Sequence, residues 1–81
     1  MHELTLYYQP TCSYCLKVIN YLHSAGIEVS MKNIAERMEN RQELLRIGGK
    51  TQTPCLVIDG KALFESDDII AWFKLNWSKV N

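Results

Sequence analysis

Hydrophobic and polar positions divide the chain into short segments of two alternating periods. Glu3 to Tyr8 alternates and is rich in β-forming residues, with Leu4, Leu6 and Tyr8 on one face, which predicts a first strand. From Ser13 to Ala25 the period lengthens. Leu16, Ile19, Tyr21, Leu22 and Ala25, with Val18 alongside, share one broad stripe, which predicts a helix that Gly26 stops. Ile27 to Met31 alternates again, Ile27, Val29 and Met31 against Glu28 and Ser30, as a second strand. A strand, a helix and a strand in succession form a βαβ unit, whose strands run parallel with a right-handed crossover.

A second helix is expected to begin at Asn33 or Ala35. Its apolar positions Met38, Leu44, Leu45 and Ile47 are set among Arg37, Glu39, Arg41, Glu43 and Arg46, the pattern of a solvated helix with a narrow core stripe ending at Gly48-Gly49. After Thr51-Gln52-Thr53-Pro54, the run Cys55 to Ile58 predicts a short buried strand. Asp59-Gly60 is a strong type I′ turn signal, and Lys61 to Phe64 is expected to return antiparallel. Ser66 is expected to cap a last helix, with Asp67 and Asp68 in its first turn and Ile69, Ile70, Trp72, Phe73 and Trp77 supplying its apolar surface. No repeat, linker or low-complexity segment interrupts this order.

Composition narrows the class. A chain of 81 residues, 47% hydrophobic and with net charge zero, suits one compact domain spanning residues 1–81. The charge balance points away from nucleic acid and from an anionic membrane, and no apolar run approaches the ~18 residues of a membrane span. The start Met1-His2-Glu3 lacks a basic segment followed by an apolar stretch, so a cytoplasmic location is expected. Three cysteines are an odd number, which argues against a purely structural disulfide framework.

Cys12 and Cys15, two residues apart, can in principle form a disulfide, share a metal or pack as small apolar residues. Their position favours redox chemistry. They lie where the first strand gives way to the first helix, and a helix N-terminus presents unpaired N–H groups that stabilise an anion. Cys12 is therefore the thiol most readily ionised, and the thiolate is the reactive form. Cys55 is expected in the sheet core, the alternative being a place near Cys12. His2 and His23 have no metal-ligand spacing.

The order β-α-β-α-β-β-α is that of the thioredoxin-like fold, an α/β arrangement with a four-stranded mixed sheet flanked by helices. Within that fold the chain resembles a small glutaredoxin over nearly its whole length. The matching pieces are Tyr8 with Cys12-Ser13-Tyr14-Cys15, Arg41, Thr51-Gln52-Thr53-Pro54, and Ser66-Asp67-Asp68. The resemblance implies that Cys12 is the nucleophile and Cys15 the resolving thiol. It also implies that Thr53 and a cis Pro54 pair with the cysteinyl part of bound glutathione. Ser66 and Asp67 correspond to residues that hold the γ-glutamyl end, Arg41 to one that reaches the glycyl carboxylate, and Tyr14 to one that shields the thiolate and lines the groove. By residue chemistry alone, Ser66 and Asp67 are also ordinary for a helix start, and Arg41 for a solvated helix face.

Four positions depart from the pattern. Gln9 replaces a lysine common three residues before the first cysteine, removing a cation that would stabilise the thiolate. Ser13 replaces the commoner proline, and Phe64-Glu65 replaces a pair of glycines. The expected function is that of a glutathione-dependent thiol–disulfide oxidoreductase acting on glutathionylated proteins and mixed disulfides. One alternative is a [2Fe–2S] carrier in which two chains each give Cys12 and two glutathiones complete the ligands. Another is a module like the N-terminal domain of glutathione transferases, suggested by Glu65-Ser66 with Ile69 and Ile70. A monomer is expected, with a dimer only if a cluster is bound.

Overall fold

The computed structural model describes residues 2–80, with side chains through residue 77. Strands β1 (Leu4–Tyr8), β2 (Ser30–Asn33), β3 (Cys55–Ile58) and β4 (Lys61–Phe64) form one sheet, in the order β2-β1-β3-β4. β1 runs parallel to β2 and antiparallel to β3, and β3 and β4 are antiparallel. Helices α1 (Ser13–Ser24), α2 (Met38–Gly48) and α3 (Ser66–Val80) complete the thioredoxin-like arrangement.

Strand alternation divides the core in two. Leu6 and Leu56 point to one face, where Val18 and Leu22 of α1 and Ile69 and Phe73 of α3 close over them. Tyr7, Cys55 and Val57 point to the other face and meet Ile34 and Leu44. Tyr7 is buried because β1 is a central strand covered on both sides, so the simple alternation of Leu4, Leu6 and Tyr8 describes only half of its environment. The Tyr7 hydroxyl donates to Glu43 Oε1 at 2.9 Å, and Lys32 Nζ meets the same oxygen at 2.6 Å. Those bonds tie β1, β2 and α2 together. Burial, with the Glu43 carboxylate beside it, pushes the Tyr7 pKa up to about 12.

The second strand begins later than the alternation from Ile27 to Met31 suggests. α1 ends in a Schellman motif around Gly26 at φ 70°, in which the Gly26 N–H bonds the His23 carbonyl and the Ile27 N–H bonds the Leu22 carbonyl. Ile27 is thereby committed to the end of the helix, where it packs into the same cluster as Leu22. Pairing with β1 starts only at Ser30, and Met31 is exposed. Leu16, expected on the buried stripe of α1, also faces solvent; Cys15, Val18 and Leu22 are the buried residues.

α2 starts at Met38 and not at Asn33 or Ala35. Asn33 closes β2, and its side-chain oxygen accepts the Ala35 N–H at 2.8 Å while its carbonyl accepts from Asn40 Nδ2 at 3.0 Å. These local bonds offer the backbone a turn in place of a helix. The hairpin is as expected, with Asp59 and Gly60 both at positive φ, 50° and 86°.

At α3 the cap differs from expectation. The first helical bond runs from the Ile69 N–H to the Glu65 carbonyl at 3.0 Å, so Glu65 holds the cap position and Ser66 is the first helical residue. Glu65 has φ 74°, a left-handed conformation costly for a residue with a Cβ. Gln52 Nε2 donates to Glu65 Oε1 at 3.1 Å, joining the segment before Pro54 to the start of α3.

Candidate active site

The tight turn after β1 delivers the chain into α1. The Cys12 N–H bonds the Gln9 carbonyl at 3.2 Å, and the Cys12 carbonyl accepts the Leu16 N–H at 3.0 Å as the helix begins. Cys12 is the N-cap of α1, at φ −90° and ψ 118°. Its sulfur accepts the Cys15 N–H at 3.3 Å, replacing the oxygen of a usual capping residue. Cys15 lies one turn along, fully buried, with its own sulfur accepting the Gln9 N–H at 3.5 Å. The two thiols are free and differ in access, Cys12 half-buried and Cys15 sealed.

Their acidities diverge for physical reasons. Partial burial pushes the Cys12 thiol up, but hydrogen bonding from Cys15, Thr53 and the Tyr14 N–H outweighs burial and holds its pKa below the ordinary thiol value. Burial dominates at Cys15 and raises its pKa, and the neighbouring Cys12 adds to the rise against the hydrogen bonds from Thr53 and Gln9. Cys55 is wholly buried on the α2 face of the sheet, and burial pushes its pKa up to about 11. It is thus a core residue and not a third reactive thiol.

These shifts have a direct readout. A lowered pKa preserves the thiolate to lower pH, so iodoacetamide is expected to alkylate Cys12 alone in the reduced folded protein. The rate should fall as pH drops through a midpoint below that of an unperturbed thiol. Cys15 and Cys55 should react only after unfolding, and native-state label on either, seen by mass spectrometry across pH, would contradict the assignment.

Other segments meet this thiol. The peptide bond between Thr53 and Pro54 is cis, and the Cys12 thiol lies 3.8 Å from the Thr53 carbonyl oxygen, toward which it donates. That contact brings the loop before β3 against the N-terminus of α1. Ser66 is buried and Asp67 exposed in the first turn of α3, and Lys17 Nζ of α1 forms an ion pair with Asp67 Oδ1. Tyr14, next in the chain to Cys15 in the first turn of α1, is 66% exposed and is not packed into the core. Arg41 is half-buried in α2 and forms no ion pair or hydrogen bond with these groups among the described residues. The structure therefore joins Cys12, Cys15 and Thr53 directly, and α1 to Asp67 through Lys17.

Lys17 and the Gln52–Glu65 bond are absent from any sequence motif. Lys17 reads as an ordinary solvated helix cation, and nothing along the chain connects it to a residue fifty positions away. Among the described residues no group of three or more His, Cys, Asp or Glu side chains is arranged to hold a metal ion. An iron–sulfur cluster of the all-thiolate type takes four such ligands. A single chain presents one accessible thiol, Cys12, toward such a set.

The geometry has parallels in known proteins. The glutaredoxin family model matches residues 4–63, a span that contains both thiols and the cis-proline loop. An uncharacterized glutaredoxin-like 8.6 kDa protein in the rubredoxin operon of Clostridium pasteurianum is 32% identical over 60 residues, covering 74% of this chain and 80% of its own. Glutaredoxin 3 of Escherichia coli strain K12 is 28% identical over 71 residues, covering 88% and 86%. The crystal structure of glutathione transferase Omega 3C from Trametes versicolor superposes with a TM-score of 0.80 at 26% identity, covering 94% of this chain but only 34% of the transferase. The transferase likeness is thus to one part of a longer molecule, whereas the matches to glutaredoxins span most of both chains. With a CxxC at the start of α1, a cis-proline loop against its first thiol and a family match over most of the length, this chain belongs to the glutaredoxin family, whose members share a thiol oxidoreductase chemistry.

Proposed function

We propose that the protein is a glutathione-dependent thiol–disulfide oxidoreductase that removes glutathione from glutathionylated proteins and small mixed disulfides. The observation that carries this reading is the placement of Cys12. It is an accessible N-cap thiol of lowered pKa, set against the half-buried peptide segment at Thr53. A thiolate so held can attack a disulfide whose peptide part lies along that segment.

In the first step the Cys12 thiolate attacks the glutathione sulfur of a mixed disulfide. A Cys12–glutathione disulfide forms, the original S–S bond breaks, and the substrate leaves as a thiolate that takes a proton. A second glutathione, as its thiolate, attacks the glutathione sulfur of that adduct, giving oxidised glutathione and restoring the Cys12 thiolate. On the dithiol route Cys15 loses its proton and attacks Cys12 Sγ, releasing glutathione and leaving a Cys12–Cys15 disulfide. Burial raises the Cys15 pKa, so this route requires Cys15 to lose a proton held more tightly than that of an ordinary thiol.

Ser66 and Asp67 at the start of α3 are suited to the γ-glutamyl end, since the N–H groups ahead of the first helical bond attract a carboxylate and Asp67 can pair with an ammonium. Arg41 and Tyr14 are assigned the glycyl carboxylate and the outer wall. One Cys12 suffices for the cycle, so the proposed unit is a monomer in a reducing compartment such as the cytoplasm. The test is a coupled assay with a glutathionylated peptide, glutathione, glutathione reductase and NADPH. NADPH oxidation well above the protein-free rate is expected; a rate equal to that background would refute the assignment.

A further inference from the structure

The loop of residues 50–54 carries Thr53 to the Cys12 thiol, yet its own backbone does little to hold it there. Among the described residues, no backbone–backbone hydrogen bond outside the helices and strands involves this loop. Pro54 is buried, which anchors the far end where β3 begins. The 3.8 Å contact between the Cys12 sulfur and the Thr53 carbonyl oxygen therefore depends on side chains to fix the rest.

Two side-chain bridges cross from the loop to the junction of β4 and α3. Lys50 Nζ lies over the Phe64 ring, 4.5 Å from its centroid. The ring is itself fixed. It packs against the cluster of Tyr7, Leu44 and Val57 and sits over Gly48, where a Cβ would stand 2.7 Å from Phe64 Cζ. The second bridge is the bond from Gln52 Nε2 to Glu65 Oε1 at 3.1 Å.

Glu65 makes its bridge from a strained backbone. At φ 74° a glycine is free of strain and a residue with a Cβ is not. Such a conformation persists only where its surroundings hold it, and residues of this kind gather at functional sites. A glycine there would also leave Gln52 without its acceptor. The strained position thus keeps a carboxylate within reach of the loop that bears Thr53.

We propose that Gln52 and Glu65 are positioning residues, whose side-chain bridge fixes the loop that sets Thr53 against Cys12. Neither has to touch substrate. The inference rests on the reading of Cys12 as the reacting thiol and holds for any disulfide that Cys12 attacks. Hydrogen bonding from Thr53 is one of the causes that keep the Cys12 pKa below the ordinary thiol value, so a loosened loop should raise it.

The test is the pH dependence of iodoacetamide alkylation at Cys12, read by mass spectrometry with no disulfide substrate present. It compares the wild type with Gln52→Ala, Glu65→Ala, Glu65→Gln and the double variant Gln52→Ala with Glu65→Ala. Each single alanine variant removes the bridge from one side and is expected to raise the midpoint by about 0.3–1 pH unit, the range that loss of one hydrogen bond to the thiolate supports. Glu65→Gln keeps an acceptor oxygen without the charge and should retain the wild-type midpoint. The double variant should shift no further than either single one, because one bridge can be lost only once. Cys15, the titratable group that faces Cys12, is kept throughout.

An unchanged midpoint in either alanine variant, even with a lowered urea midpoint, would show a purely structural bridge. A Glu65→Gln shift equal to that of Glu65→Ala would assign the effect to the carboxylate charge, and additive shifts in the double variant would show two separate effects. Each of these overturns the proposal. A wild type alkylated elsewhere than at Cys12 overturns the reading of the reacting thiol as well.

Discussion

Cys12→Ser is expected to reduce deglutathionylation to the uncatalysed rate, a loss on the order of 10³-fold or more, whereas Cys15→Ser should keep turnover within about two-fold of wild type. The asymmetry follows from the two environments. Cys12 is accessible, of lowered pKa and accepts the Cys15 N–H as the helix N-cap; Cys15 is sealed and of raised pKa. A serine hydroxyl is not ionised near neutral pH and cannot form the mixed disulfide. It is also a good N-cap acceptor, so the Cys15 N–H keeps a partner and the helix start survives. Loss of activity in this variant therefore reports lost chemistry and not lost structure, which a far-UV spectrum matching wild type would verify.

In Cys15→Ser the serine oxygen can still accept the Gln9 N–H that now meets the Cys15 sulfur at 3.5 Å. The monothiol cycle needs only Cys12 and a second glutathione, so the Cys12–glutathione adduct should accumulate in this variant when free glutathione is withheld. The coupled NADPH assay reads turnover, and mass spectrometry of the intact protein reads the adduct. Retained activity in Cys12→Ser, or an adduct on Cys15 in the wild type, would reverse the assignment of nucleophile and resolving thiol.

Phe73→Ala is expected to destabilise the protein by about 3–5 kcal/mol, the range for truncating a buried phenylalanine. Phe73 is 1% exposed and sits between α3 and the sheet, with Trp72 packed edge-on against it at a ring separation of 5.3 Å. A domain of this length has a total stability of about 5–12 kcal/mol, so the change removes a large part of it. Leu75 on the same helix is 71% exposed, and Leu75→Ala should stay within about 0.5 kcal/mol of wild type. Urea unfolding followed by tryptophan fluorescence separates the two. A Phe73→Ala midpoint close to wild type would mean that α3 is not held to the sheet by this side chain. Because α3 carries Ser66 and Asp67 at its start, partial loosening should also raise KM for a glutathionylated peptide before kcat changes.

Local signals located much of this architecture in the sequence. Gly26 ends α1, Asp59-Gly60 makes the hairpin, and the CxxC opens α1, because each depends on backbone preferences within a few residues. The errors arose where a local signal had two uses. The alternation from Ile27 to Met31 reads as a strand, but Ile27 closes the Schellman motif on Leu22, and a helix cap outcompetes strand pairing there. Asn33 reads as a helix start, but its side chain bonds the Ala35 N–H and makes a turn. Ser66 has the chemistry of a cap, yet Glu65 at φ 74° takes that place, because the chain must turn sharply from β4 into α3.

Alone, the amino-acid sequence determined the order of elements, the pair of thiols at a helix start and the motif pattern of the family. These are properties of spacing and residue type, which are written along the chain. Only the tertiary structure decided which thiol is open and which is sealed, since that depends on whether sheet and helices cover it. Cys55 was settled as a core residue in the same way, by the cluster of Tyr7, Ile34, Leu44 and Val57 to which it belongs. Lys17 met Asp67 only when the fold set α1 beside α3, because an ion pair across fifty residues is a fact of distance in space and has no counterpart in sequence period.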